Sequence, residues 1–159
     1  MLYESFGRGH VLFTILALIW MQAVSADPNT TNLDANGLAV QGYDPVAYFT
    51  LGKPLMGKPE YSTTFDDATY RFANSANREA FQRTPDRYVP QYGGYCALGV
   101  SLGRKFDGDP QQWKIVGGKL YLNVNADAAR VWNRDIPGNI TKADAQWPKI
   151  GPIPAAKLE

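Results

Sequence analysis

The stretch WKIVGGKLYL at 113–122 holds two apolar runs, rich in β-branched and aromatic residues, on either side of a glycine pair. Two glycines between such runs favour a two-residue turn, because the central residues of that turn need positive φ angles. We therefore predict a β-hairpin with its turn at Gly117-Gly118. A second hairpin is predicted upstream, where the alternating runs 61–65 and 69–72 flank Asp66-Asp67-Ala68.

Short helices are predicted around the two hairpins. One begins at Ser75 and continues to about Arg83, and another covers 126–134, where Ala128, Val131 and Trp132 share one face. A last helix is capped by Asn139 or Thr141 and ends before Trp147-Pro148. The predicted fold class is α+β, a small single domain of antiparallel hairpins packed with short helices.

Two Asp-Pro pairs carry a signal for the start of a helical turn. In Asp44-Pro45 and Asp109-Pro110 the carboxylate is suited to capping, and the proline fits the first helical position. We predict a short helical turn after each pair.

The composition fits one compact domain and excludes several classes of protein. The chain has 159 residues, of which 45% are hydrophobic and 19% charged, and its net charge is +1. A nucleic-acid binder is not expected, because there is no surplus of basic residues to neutralise phosphates.

An apolar run near the N-terminus predicts export. The run at 11–21 spans only about 16 Å as a helix, half of a bilayer's hydrocarbon core. Small residues, Val24 and Ala26, lie at the positions that a signal peptidase reads. We predict a signal peptide over 1–26, cleavage after Ala26, and a periplasmic or secreted protein without a membrane span. The alternative is an uncleaved anchor, because Glu4 reduces the positive charge of the leader. Residues 27–36 are predicted to be a flexible lead-in, 37–148 the domain, and 149–159 a loose tail.

Histidine and cysteine are each present once, as His10 and Cys96. After cleavage the chain has no histidine, which excludes a Ser-His-Asp or Cys-His catalytic arrangement and any imidazole metal site. A lone cysteine excludes an internal disulfide and a CxxC redox pair. No catalytic residue is assigned, and a non-catalytic role is favoured.

Three stretches together resemble a known family. They are GYDPVAYF (42–49), the pair YRFANSANREAF (70–81) and PDRYVPQYGGYCALGVS (85–101), and WKIVGGKLYLNVN (113–125). Their order and spacing resemble the exported YHS-domain proteins, the YHS-domain (seleno)protein group, over 34–148. In some members of that group selenocysteine occupies the position of Cys96, which implies a residue chosen for reactivity or metal binding. The broader YHS group relies on several cysteines or histidines, so only the position of Cys96 transfers to this chain.

Cys96 admits two interpretations. The glycines of Tyr92-Gly93-Gly94-Tyr95 permit a tight turn before a helix predicted over 96–101. A thiol at a helix N-terminus is expected to have a lowered pKa, and Arg104 or Lys105 would add to this effect. Alternatively, Cys96 is a small buried hydrophobic residue beneath the tyrosines, since unpaired cysteine is among the most buried residue types.

The sequence leaves three hypotheses about function. In the first, an exported accessory domain contacts a metal or a thiol through Cys96; a thiolate with the thioether of Met56 would suit copper or another soft metal ion. In the second, Cys96 is structural and a tyrosine-lined pocket binds a small ligand or a partner protein. In the third, a redox enzyme borrows its resolving thiol from elsewhere. The candidate site residues are Cys96, Tyr92, Tyr95, Gly93, Gly94 and Met56.

Overall fold

The computed structural model describes residues 30–158. The predicted signal peptide, the cleavage site after Ala26 and the start of the lead-in therefore lie outside the described residues. Within 30–158 the chain forms two antiparallel hairpins and five α-helices, which confirms the α+β prediction. None of the helices in this part of the chain has the length and apolarity needed to cross a bilayer. The elements are α1 (Ala47–Thr50), β1 (Lys58–Phe65), β2 (Ala68–Phe72), α2 (Ser75–Arg83), α3 (Ala97–Ser101), β3 (Asp109–Val116), β4 (Lys119–Asn123), α4 (Ala126–Trp132) and α5 (Ile136–Ile150).

The first hairpin lies where it was predicted and joins β1 to β2, but its turn holds only Asp66 and Asp67, because Ala68 begins β2 and pairs with Phe65. Both turn residues have positive φ angles, 47° and 58°, the conformation that a two-residue hairpin turn requires and that aspartate tolerates. Alternate residues of β2 are buried, and the Phe81 ring of α2 packs on them, 4.8 Å from the Tyr70 ring and 5.1 Å from the Phe72 ring. These contacts form the first of two hydrophobic cores.

The second hairpin joins β3 to β4 through Gly117 and Gly118, whose φ angles are 57° and 75°. Side chains alternate between the faces of a strand. Accordingly, Leu120 and Leu122 of β4 enter the first core, while Tyr121 enters the second. The strand is therefore buried on both faces and separates the two cores.

Three helices supply most of the second core. Val100 of α3, Trp132 of α4 and Ala143 of α5 are fully buried, and the Trp132 ring lies 5.7 Å from that of Tyr121. This packing holds α5 against the loop that precedes α3.

The prediction for the last helix was wrong at both ends. Helix α5 begins at Ile136, because Asp135 accepts a hydrogen bond of 3.0 Å from the Gly138 N–H, and neither Asn139 nor Thr141 is its cap. It continues through Pro148 to Ile150. A proline in the last turn costs a helix little when few helical hydrogen bonds follow it. Burial of Ile150 in the second core favours the extra turn.

The two Asp-Pro pairs have different outcomes. Asp44 accepts hydrogen bonds from the N–H groups of Val46 and Ala47, which confirms its role in starting a helical turn. Asp109 and Pro110 instead belong to strand β3, where Asp109 pairs with Asn123, so the predicted turn there was wrong. Pairing with β4 is a long-range contact that overrides the local helix signal.

The described part of the predicted lead-in and the predicted tail both form hydrogen bonds with the domain. The Asn32 N–H donates to the Gly93 carbonyl at 2.9 Å, which fixes the described part of the lead-in to the domain. In the tail, the carbonyls of Gly151 and Ile153 each accept a hydrogen bond of 2.8 Å from Lys105 Nζ. The sequence of neither segment indicates these partners, because they lie far away in the sequence.

Candidate functional site

The loop before α3 has an unusual backbone. Tyr92, Gly93 and Gly94 all have positive φ angles, 54°, 62° and 86°, and we call this segment the glycine loop. A Cβ on Gly93 would lie 1.7 Å from the Thr30 carbonyl oxygen. Glycine is therefore required at 93 both by its left-handed conformation and by the close approach of the N-terminal segment.

Tyr92 links the glycine loop to α5. Its ring lies 5.8 Å from the ring of Tyr121 and 5.8 Å from that of Trp147, and its hydroxyl donates to Asp144 at 2.8 Å. Burial, followed by the hydrogen bond to Asp144, raises the pKa of Tyr92. The hydroxyl is therefore a stable neutral donor to the Asp144 carboxylate.

A cleft of about 540 Å³ opens beside the glycine loop. Its walls come from five parts of the fold: the N-terminal segment, the first hairpin, the glycine loop with the residues before it, the start of β4, and α5. The lining residues are Thr30, Thr31, Phe65, Asp66, Tyr70, Val89, Pro90, Gln91, Tyr92, Gly93, Lys119, Asp144, Trp147 and Pro148. Aromatic, apolar and charged groups thus face one concave space.

Cys96 lies next to the glycine loop but does not line the cleft. Its side chain is 1% exposed, its Sγ accepts from the Gly99 N–H at 3.4 Å, and its thiol lies 3.7 Å from the Asn123 Oδ1. Cys96 is the cap of α3, as the helix prediction implied. Nevertheless, burial raises the pKa of the thiol more than the backbone hydrogen bonds from Gly99 and its neighbours lower it. The expectation of a lowered thiol pKa was therefore wrong, because desolvation outweighs the helix end.

The structure places the two sulfur atoms in different surroundings. Met56 is 53% exposed and pairs with Tyr43 through an isolated bridge, whereas Cys96 is buried and pairs with Leu122. Within residues 30–158, no group of three His, Cys, Asp or Glu side chains could hold a metal ion. The described residues therefore offer no assembled set of ligands for a soft metal ion.

The other predicted residues divide between the cleft and the core. Tyr92 and Gly93 line the cleft, whereas Gly94 and Tyr95 lie behind it and are buried. The carbonyl of Gly94 would lie 2.2 Å from a Cβ on Gly108, so the two backbones are in close contact. The segment 92–95 therefore contributes to packing at least as much as it contributes to the cleft.

Lys105 does not have the role that the sequence suggested. Its side chain is fully buried, and its Nζ lies 4.4 Å from the centroid of the Tyr95 ring, in addition to binding the two tail carbonyls. Arg104 is exposed. The ammonium group of Lys105 thus fixes the C-terminal tail to the domain.

Of the predicted site residues only Tyr92 and Gly93 line the cleft, and the residues that sequence reasoning missed include Asp66 as a binding group, Lys119, Asp144 and Trp147. Asp144 and Trp147 are three residues apart and share one face of a helix, a spacing that the sequence does contain. This spacing was not recognised because the predicted helix ended before Trp147. The pairing of Asp144 with Tyr92 spans 52 positions and leaves no local signal.

Comparison with known proteins was made at three levels. No family model, no curated protein and no solved structure matches this chain.

Proposed function

We propose that this chain is an exported ligand-binding module of the YHS type, that its binding site is the cleft beside the glycine loop, and that Cys96 is structural. The three stretches that resemble the exported YHS-domain group support the family, and the apolar run with Val24 and Ala26 supports export. The cleft supports the binding role.

The shape of the cleft is the observation that carries this proposal. Its volume of about 540 Å³ falls within the range of roughly 300–1,000 Å³ typical of small-molecule sites. Its walls are rich in polar groups and also include apolar and aromatic side chains, and such sites use polar groups for orientation and apolar surface for affinity. Residues from five separate parts of the chain build it.

The backbone of Tyr92 gives independent support. A non-glycine residue in the left-handed region costs on the order of 1 kcal/mol or more, and such residues are enriched at functional sites. In Tyr92 this conformation accompanies a buried ring and a hydroxyl directed to Asp144 at the cleft. The strained residue is therefore part of the cleft wall.

The surroundings of Cys96 favour this proposal over a metal or thiol contact. A side chain that is 1% exposed requires local opening before a metal ion or a second thiol reaches it. Its raised pKa further reduces the thiolate that both reactions need. The thiol is better explained as packing between α3 and β4.

A fragment screen by two-dimensional amide NMR tests the proposal. A library of soluble fragments of varied charge is added to the purified protein, and we expect shifts at Gly93, Lys119 and Trp147. Lys119→Trp places a bulky ring at the edge of the cleft, where it should narrow the cleft and weaken those shifts. Lys114→Trp is the matched control, because Lys114 is exposed on the same hairpin and does not line the cleft. Fragments that bind only elsewhere, or equally well to Lys119→Trp, would disprove the proposed site.

A further inference from the structure

We infer that the cleft selects small organic cations, ammonium or guanidinium compounds that carry an apolar or aromatic group. This inference rests on the proposed function and adds the chemical class of the ligand. Three features of the cleft support it: its charge, its aromatic walls and the field of its carboxylates.

The charges that line the cleft sum to −1. Asp66 and Asp144 contribute two carboxylates, and Lys119 contributes one ammonium group. Among residues 30–158 the one salt bridge joins Arg130 to Asp127, so no salt bridge neutralises either carboxylate of the cleft. Asp144 accepts its hydrogen bond from the Tyr92 hydroxyl, which is not a cationic partner. A cation is thus the ligand that this balance favours.

The aromatic walls suit the same ligands. Phe65 and Trp147 line the cleft and are partly exposed, whereas Tyr70 is 3% exposed and packs on Phe81. The face of an accessible aromatic ring attracts cations. The chain already uses this interaction on the inner side of the cleft wall, where Lys105 Nζ lies 5.6 Å from the Trp147 ring centroid. An organic cation gains from the rings as well as from the two carboxylates, whereas an anion gains only from the ammonium groups of Lys119 and of Lys105 behind Trp147.

The field of the carboxylates reaches the cleft walls. Burial is the largest cause of the raised pKa of Tyr70, and the negative charge of Asp66 raises it further. At Tyr92 the charge of Asp144 also raises the pKa, after burial and the hydrogen bond. A negative field that disfavours a tyrosinate also disfavours a bound anion. The same field stabilises a bound cation.

Three probes of similar size separate charge from shape: benzylamine, benzyl alcohol and benzoate, each titrated into the purified protein and followed by amide NMR at neutral pH. We expect benzylamine to bind about two- to five-fold more tightly than benzyl alcohol, the size of effect typical of exposed charges. Benzoate should bind most weakly. Raising the ionic strength to about 0.5 M should remove most of the preference, because salt screens exposed charges.

Charge variants test which groups cause the preference. Asp66→Asn should weaken benzylamine binding about two-fold and leave benzyl alcohol unchanged, and Lys119→Met should strengthen benzylamine binding by a similar factor. Asparagine tolerates the φ of 47° at position 66. Asp67→Asn is the matched control, since Asp67 occupies the same turn but does not line the cleft. Asp67→Asn should change benzylamine binding less than Asp66→Asn does.

The outcomes separate this inference from the proposed function. Equal binding of all three probes at the cleft, or tighter binding of benzoate, would overturn the cation preference and leave a ligand-binding cleft. If neither the probes nor the fragment library shifted the cleft amides, the proposed function would fail and the inference with it.

Discussion

The Tyr92 hydroxyl donates a hydrogen bond of 2.8 Å to the Asp144 carboxylate and so joins the glycine loop to α5. The two residues are 52 positions apart, and each belongs to a wall of the cleft. Because Tyr92 also has a left-handed backbone, its position depends on contacts at both the ring and the hydroxyl. The pair therefore couples the stability of the domain to the shape of the cleft.

Replacement of Tyr92 by phenylalanine should lower the free energy of unfolding by about 1 kcal/mol, the usual net worth of one hydrogen bond. The value lies below the roughly 1.5–3 kcal/mol usual for a charged acceptor because Asp144 is exposed. Urea denaturation at pH 7 measures it. Tyr88→Phe is the control: within the described residues the Tyr88 hydroxyl has no hydrogen-bond partner, while its ring packs on Phe49. Equal losses in the two variants would show that the bond to Asp144 contributes nothing.

Gly93→Ala should destabilise the protein more than Gly117→Ala. The two glycines have similar φ angles, 62° and 57°, so both variants meet the left-handed strain of about 1–2 kcal/mol. At Gly117 a Cβ meets no atom within 4 Å, whereas at Gly93 it lies 1.7 Å from the Thr30 carbonyl oxygen. We expect a further loss of about 1–3 kcal/mol, as for other overpacked sites. Matched losses in urea denaturation would contradict the packing of the N-terminal segment on the glycine loop.

Cys96 should be silent toward an aromatic disulfide reagent in the folded protein at pH 8 and should react fully in denaturant. The reason is its 1% exposure together with a pKa that burial raises. Stoichiometric reaction of the folded protein within minutes would instead support the exposed-thiol hypothesis.

The same raised pKa predicts a pH dependence of stability. The folded state holds the Cys96 thiol protonated above the pKa of 9.0 at which the unfolded thiol ionises. The contribution of the buried thiol to the free energy of unfolding is therefore fully present below pH 9 and is lost as the pH rises beyond that value. The difference in unfolding free energy between wild type and Cys96→Ala should narrow between pH 8 and pH 10, and a constant difference would argue against a buried neutral thiol.

Lys105→Met should lower the free energy of unfolding by about 2–4 kcal/mol, because it leaves two acceptor carbonyls of the tail without the ammonium group. Those carbonyls belong to Gly151 and Ile153. The variant should also become sensitive to limited proteolysis at 151–158. Lys149→Met, which removes an exposed lysine from the same region, should change the stability by less than about 0.5 kcal/mol. A stable, protease-resistant Lys105→Met would show that the tail is held by other contacts.

Local signals predicted the elements well where turn and cap chemistry decide them. The Gly117-Gly118 and Asp66-Asp67 turns define both hairpins, and α2 covers Ser75–Arg83 as expected. In each case the deciding residues lie within a few positions of one another. Such features follow from φ preferences and capping without tertiary contacts.

The cleft was only partly predictable, because its residues meet across long distances in the sequence. The tyrosine-rich motif indicated Tyr92 and Gly93, but Asp144 and Lys119 reach the cleft only through the packing of α5 and β4. The burial of Lys105 was also hidden, since a lysine in a polar segment ordinarily faces solvent. Tertiary partners also decided between strand and helical turn at Asp109.

A crystal structure of the protein soaked with small aromatic and amine fragments tests the central claim most directly. The account predicts fragment density in the cleft between the glycine loop and α5, in contact with Trp147 and with Asp66 or Asp144, and an unmodified, metal-free Cys96. Density confined to other surfaces, or a metal ion or covalent adduct on Cys96 Sγ with an empty cleft, would contradict it.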